Sequence, residues 1–505
     1  MKGLNFVRKF RARDPFSPIE SKDDLRQVGR MGPLLLFSAG FRFLFYVGCS
    51  YLLTRMIDPS DFGRLLQVGV PLALVGLFGD LGLGDGVIRL KNLGPRLSSL
   101  FFYINISLSI TAATVLVLIM PAFEIWFNGA ELMDLGYVIG LSVVSGGMVG
   151  QHRALLRRQL RYKTIAGLEI VTAVTSNGTA VLLALSGVGV IAIPLGRMLA
   201  NVTDFILMAA ATGWFPGRSA AWREGRGVLG FGIKLAGSGV IHFFSIALAS
   251  LMIGRIFPEE TLGYLERAAA LSKGIVSRIR DIISRLSFSL LSRSRHSGDD
   301  DFAALLKTFF LAACCVAVVP VAVAGALSYP LVPIFFGDEW REMGIYLGLE
   351  WWAMTMVFPV TFLLNGLLAA GRSGTLAKFN LVRLVFAVLI LVVFVVAKKD
   401  IVDYLIAMAA FAILDSFVFT IITGRLLKLP MGSLLWPFAL SMLAGIASAA
   451  TVVFLASQLH VGLAAAAGVL LSSVGVFYLI WNRRTLLSLA SEAGSQRVKI
   501  PSTEK

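Results

Sequence analysis

The sequence predicts an all-α polytopic membrane protein of about fourteen transmembrane helices, arranged as two pseudo-symmetric six-helix lobes followed by two C-terminal helices. Three observations carry that expectation. First, 57% of the 505 residues are hydrophobic and only 15% are charged, with a mean hydropathy of +0.80. Apolar runs so long and so numerous cannot all be hidden in one aqueous core. Second, basic and acidic residues alternate from one connection to the next. Third, a segment of the chain repeats at a constant offset.

Residues 1–30 form a basic tail, with Lys2, Arg8, Lys9, Arg11, Arg13, Lys22, Arg26 and Arg30. The tail lacks the short apolar region and small-residue cleavage site of a signal peptide. Apolar runs follow near 31–57, 61–90, 97–123, 132–155, 164–186, 188–213 and 228–256, with Asp58-Pro59-Ser60-Asp61 as the first turn. Beyond a basic stretch come 303–328, 343–370, 376–397, 401–424, 433–457 and 462–482. At 1.5 Å per residue each is long enough to cross a hydrocarbon layer of about 30 Å. The expected organisation is a first lobe over 31–213, a linker over 214–227 and a second lobe over 228–425. The last two spans occupy 426–482 and a polar tail occupies 483–505.

Residues 260–292, ETLGYLERAAALSKGIVSRIRDIISRLSFSLLS, are helical in spacing but carry Arg267, Lys273, Arg278, Arg280 and Arg285. At about 100° per residue, Arg267, Arg278 and Arg285 project within about 20° of one another. Such a helix either lies on the membrane surface or crosses it with one wet face. Charge decides between them. With the first tail inside, the inner connections hold Arg89, Lys91 and Arg96, then Arg153, Arg157, Arg158, Arg161 and Lys163, then Arg218, Arg223 and Arg226. Later inner connections hold Arg293 and Arg295, Arg372 and Lys378, Arg425 and Lys428, and Arg483 and Arg484. The outer ones hold mainly Glu124, Glu131, Asp134, Glu259, Glu260 and Asp338, against Arg341, Lys398 and Lys399. Taking 260–292 out of the membrane inverts every later loop, so positive-inside bias makes it a span and places both termini inside. Trp126, Trp214, Trp340, Trp436 and Trp481, near span ends, fit interfacial belts.

The repeat pairs YLLTRMIDPSDFGRL (51–65) with LMIGRIFPEETLGYL (251–265), aligning Arg55 with Arg255 and Gly63 with Gly263. Two parallel-oriented halves, beginning at the first and seventh spans, explain it, and such duplication marks transporters that hold substrate between the halves.

Composition excludes several functions. The net charge of +16 is carried by topology-setting loops, so no nucleic-acid partner is expected. Cys49, Cys314 and Cys315 fall in apolar runs and read as small core residues. No HExxH, CxxC, GxSxG or Walker motif occurs, and no outer loop is long enough to house an active site, so no enzyme, metal or cofactor is expected. The glycine-rich run from Gly79 to Gly86 lies inside a span and reads as helix distortion or close packing.

The candidate site rests on charges inside spans, because each is costly unless paired or wet. Arg42 lies about 16 Å into the first span and Asp80 a similar distance from the inner end of the second. They are expected to face each other as an ion pair, either fixing helix packing or lining a cavity. Glu169, Asp204, Glu350 and Asp415 are further carboxylates within spans, and Asp415, near mid-span, is with Asp80 a candidate for proton or sodium coupling. His242 reads as a core histidine. Arg64 and Arg89, near the ends of the second span, read as snorkelling to the interface.

LLTRMIDPSDFGRLLQVGVPLALVGLFGDLGLGDGVIRL (52–90) resembles the opening of bacterial polysaccharide-export flippases of the Wzx type, with their acidic-aromatic-glycine turn and DLGLG segment. RALLRRQLRYKTIAGLEIVTAVTSN (153–177), SGVGVIAIPLGR (186–197), GFGIKLAGSGV (230–240), LGYLERAAAL (262–271) and IFFGDEWREMG (334–344) resemble later parts of the same family, in the same order. One departure is Leu265, after Tyr264, where the family pattern leads one to expect another aromatic. The family belongs to the multidrug/oligosaccharidyl-lipid/polysaccharide exporter superfamily. The resemblance implies a polyprenyl-diphosphate-linked oligosaccharide carried from the cytoplasmic to the periplasmic leaflet of the bacterial inner membrane by alternating access. It makes that lipid-linked glycan and the bilayer the expected partners, with polysaccharide polymerase and export machinery as candidates. An anionic headgroup suits a cavity lined by Arg42, Arg267, Lys273, Arg278 and Arg285, since guanidinium groups grip phosphate by forked hydrogen bonds. A multidrug or cation antiporter of the same architecture is the alternative, disfavoured by the basic lining. A membrane glycan polymerase or ligase is a third reading, disfavoured by the short outer loops.

Overall fold

Each long apolar run that the structure describes becomes a helix, and the residues that punctuate the runs set the ends. Most of run 228–256 and the glycine-rich end of run 61–90 lie outside the described residues. The computed structural model describes residues 16, 32–79, 87, 90, 93–159, 161–224, 248–297, 299–355, 357–397, 399–458 and 461–481. Among these residues the secondary structure is helical, without strands. In chain order the helices are α1 (Gly32–Thr54), α2 (Pro59–Gly79), α3 (Pro95–Trp126), α4 (Met133–Arg158), α5 (Tyr162–Leu185) and α6 (Ala192–Thr212). They continue with α7 (Glu259–Ser297), α8 (Asp299–Phe336), α9 (Arg341–Met354), α10 (Val357–Ala369), α11 (Ser373–Val396), α12 (Ile401–Leu426), α13 (Met431–Gln458) and α14 (Val461–Trp481). Pro95 opens α3 at a position where its missing N–H costs nothing. The Asp400 carboxylate accepts from the Ile401 N–H at 2.6 Å and caps α12. Glu124 closes the α3–α4 turn by accepting from the Leu132 and Met133 amides at 2.8 and 2.9 Å.

Nine stretches of described residues are long and apolar enough to cross a membrane, and the chain is a multi-pass membrane protein. Span 343–370 is covered by two helices, α9 and α10, with residue 356 between them outside the described residues. Span 303–328 is the middle of a longer helix, α8, which contains Pro320, Pro330 and Pro333. The basic stretch at 260–292 is one continuous helix, α7, of 39 residues. That length exceeds what a layer of about 30 Å requires.

The chain divides into two units, Met1–Glu266 and Arg267–Lys505. In the first, α3 packs on α2 and α4, α6 lies against α4 and α5, and α1 lies against α5. The buried Arg158 donates to the carbonyls of Phe16, Val87 and Leu90, so a guanidinium expected in an inner connection instead ties chain segments together. Phe16, Phe102 and Trp214 pack edge to face beside it. In the second unit α8 touches α9, α10, α13 and α14, while α12 packs on α9, α10, α11 and α13. Asn365 of α10, 2% exposed, donates to the Ser284 carbonyl (3.2 Å) and the Ser287 hydroxyl (2.8 Å), anchoring the later turns of α7. The tryptophan belt holds only in part. Trp126 and Trp436 are exposed, whereas Trp214 and Trp340 are 7% and 1% exposed and pack within the protein.

Candidate functional site

Arg42 sits ten residues into α1 and is held from two directions. Its Nη1 reaches Glu169 Oε2 of α5 at 2.9 Å, and its Nε donates to the Ser38 carbonyl one turn back at 3.3 Å. The Ser38 hydroxyl donates to the Ala166 carbonyl at 3.0 Å, fixing the register of α1 on α5 so that arginine and carboxylate meet. Both side chains keep about a quarter to a third of their surface open, 25% and 31%. The carboxylate that partners Arg42 among the described residues is therefore Glu169. Asp80, the partner expected from the sequence, lies outside the described residues, and so does His242.

A second cluster lies between α4, α5 and α6. Arg153 Nη2 meets Asp204 Oδ2 at 3.1 Å, and the Thr172 hydroxyl donates to the other carboxylate oxygen. The Asp204 carboxylate is 2% exposed, while the Arg153 side chain is 36% exposed. Arg153 Nε is buried without a hydrogen-bond acceptor. Arg197 stands two helical turns before Asp204 on the same face of α6, within electrostatic reach of both Asp204 and Arg153. Two guanidinium groups thus share one buried carboxylate, leaving the cluster with a positive surplus.

In the second unit Asp415 of α12 is gripped by Arg383 of α11, whose Nε lies 2.9 Å from Oδ1 and 2.8 Å from Oδ2. The Arg383 guanidinium also stacks 4.9 Å from the centre of the Phe419 ring. A cation that binds this carboxylate must displace or share the arginine. Arg267 is buried in α7, 5% exposed. For Lys273, Arg278 and Arg285 the structure describes the helical backbone of α7 and not the side chains.

Sequence reasoning picked out Arg42, Glu169, Asp204 and Asp415, and missed what holds three of them. Arg153 was counted with the charges of an inner connection although it falls at the end of run 132–155, and α4 continues past it to Arg158. Arg197 and Arg383 lie inside runs 188–213 and 376–397, where any charge is a signal. Among the described residues no group of three or more His, Cys, Asp or Glu is arranged to hold a metal ion.

Residues 52–344 match the model of the family described as "Polysaccharide biosynthesis protein". The chain is similar to the teichuronic acid biosynthesis protein TuaB of Bacillus subtilis, 22% identical over 58% of this chain and 61% of that protein. It is similar to the lipopolysaccharide biosynthesis protein WzxC of Escherichia coli, 23% identical over 58% of this chain and 59% of that protein. The matched region spans about three-fifths of the length of these relatives. Among solved structures, the lipid II flippase MurJ in an inward closed conformation superposes with a TM-score of 0.68 at 11% identity, over 90% of this chain and all of that one. The fold is therefore that of MurJ, and the chain belongs to the polysaccharide biosynthesis protein family.

Proposed function

We propose that the protein is a transporter, not an enzyme. It flips a polyprenyl-diphosphate-linked oligosaccharide repeat unit from the cytoplasmic to the periplasmic leaflet of the inner membrane, with both termini cytoplasmic. The two six-helix lobes and two terminal helices of its fourteen spans work by alternating access. The observation that carries this reading is the half-open Arg42–Glu169 pair deep in α1 and α5. On a polysaccharide-biosynthesis chain with the MurJ fold, this is a guanidinium held by a carboxylate yet open enough for a competing anion to reach. A lipid diphosphate entering a low-dielectric layer needs forked donors, and arginine supplies them with a fixed geometry. The prenyl tail stays in lipid. Arg267, Lys273, Arg278 and Arg285 on α7 supply the second set of cations. Asp80 and Asp415 are the candidates for proton or sodium coupling, Asp415 by exchanging Arg383 for the cation.

Deleting the gene and following lipid-linked repeat units tests this. The units accumulate in the cytoplasmic leaflet, and wild-type protein restores export. Arg42→Ala and Arg278→Ala at equal abundance restore about a tenth or less, as expected when a forked phosphate contact is lost. Full rescue by both variants refutes the site. Unchanged surface polysaccharide with heightened drug sensitivity makes the protein an antiporter.

A further inference from the structure

The repeat detected in the sequence becomes a physical contact. A Cβ added to Gly63 in α2 would lie 1.9 Å from the Glu259 carbonyl oxygen, and one added to Gly263 in α7 would lie 1.7 Å from the Pro59 carbonyl oxygen. Pro59 and Glu259 correspond across the repeat, as do Gly63 and Gly263. The contact is thus self-reciprocal. Each helix presses the glycine at its fifth position against the first carbonyl of the other, backbone on backbone. Only glycine permits that approach, and neither carbonyl can rotate away as a side chain would.

Around this symmetric contact the side chains are asymmetric. Arg64 Nε pairs with Glu259 Oε2 at 3.0 Å, and its Nη1 lies 3.5 Å from Asp61 Oδ1. The repeat counterpart of Arg64 is Tyr264, whose hydroxyl donates to Glu260 of its own helix at 2.6 Å. One turn deeper, Gln67, 2% exposed, donates to the Gly254 carbonyl at 3.4 Å. Arg64 is thus not a residue that merely snorkels. It bridges the starts of two helices that the charge pattern of the loops places at the outer surface.

We propose that this glycine contact, latched by Arg64–Glu259, is the outer gate of the transport path. The inference rests on the transport reading for its purpose, and on the geometry for its place. A contact made of bare backbone seals tightly with little side-chain reorganisation, so two rigid helix starts can part and re-form it repeatedly. A single half-exposed ion pair adds a latch weak enough to release. The cargo leaves outward when the starts of α2 and α7 separate at Gly63 and Gly263.

The test is labelling of Gln67→Cys from outside, in intact cells carrying a chain whose Cys49, Cys314 and Cys315 are alanine, with a membrane-impermeant maleimide. Labelling is slow when only this change is present. Adding Arg64→Glu raises it about fivefold, the population shift expected from loss of one half-exposed ion pair and its replacement by repulsion. Combining Arg64→Glu with Glu259→Arg returns it toward the starting rate, a rescue that a misfolded chain does not give. Gly63→Leu, which props the contact open, raises it independently. Labelling that stays unchanged in Arg64→Glu and Gly63→Leu chains that still reach the membrane overturns the gate. Labelling needs no cargo, so this outcome is separable from failure of the flippase reading, which is judged by glycan export alone.

Discussion

Every buried charge in this membrane protein raises the question of what compensates it, and the answer differs between clusters. Asp204 is nearly fully buried and binds Arg153 and Thr172, with Arg197 within electrostatic reach. Breaking a buried pair from one side leaves an uncompensated charge, so Asp204→Asn is expected to cost about 3 kcal/mol. Glu169→Gln, at a carboxylate 31% exposed, is expected to cost roughly 1 kcal/mol. Denaturant titration of the purified variants in detergent measures both, and equal losses contradict the distinction. The individual charges were legible in the sequence because a carboxylate in an apolar run is costly unless it is paired or wet. Their partners were not. Asp80, expected opposite Arg42, lies outside the described residues; among those described, the hydroxyl of Ser38 and the carbonyl of Ala166 set α1 against α5 and bring up Glu169. Sequence separation of over a hundred residues carries no trace of that register.

At the scale of elements, hydropathy located the spans well and their internal structure poorly. Runs 97–123, 132–155 and 164–186 correspond to α3, α4 and α5, each differing by a few residues at the ends. Helices overrun the apolar runs where polar side chains continue the turn, as α4 does to Arg158. Helix α7 was found by its helical spacing despite its charge, but its anchor was invisible. Asn365 holds Ser284 and Ser287 by several hydrogen bonds at a site 2% exposed. Interhelical hydrogen bonds within membranes contribute on average about 0.6 kcal/mol each, so Asn365→Ala is expected to destabilise by about 1–2 kcal/mol. Ser284→Ala, which leaves the Ser287 contact, is expected to cost less than Asn365→Ala. If the order of the two is reversed in unfolding measurements, α10 is not what holds the later turns of α7.

For the whole molecule, the 200-residue offset between Gly63 and Gly263 linked sequence to architecture more firmly than any motif. Two distant segments became reciprocal surfaces of one contact. The family match over residues 52–344 and the fold shared with MurJ then give the repeat a setting in which duplicated helices are expected. The central claim is transport of an anionic lipid-linked glycan, and the direct measurement is leaflet exchange in liposomes holding the purified protein. A polyprenyl-diphosphate-linked oligosaccharide placed in one leaflet is followed by its accessibility to an impermeant enzyme that cleaves it in the other. The account predicts exchange well above that of protein-free liposomes, slowed by Arg42→Ala and stopped by a cross-link between cysteines at positions 64 and 259. Exchange no faster than in protein-free liposomes, with cationic drugs crossing the same membranes, would contradict it.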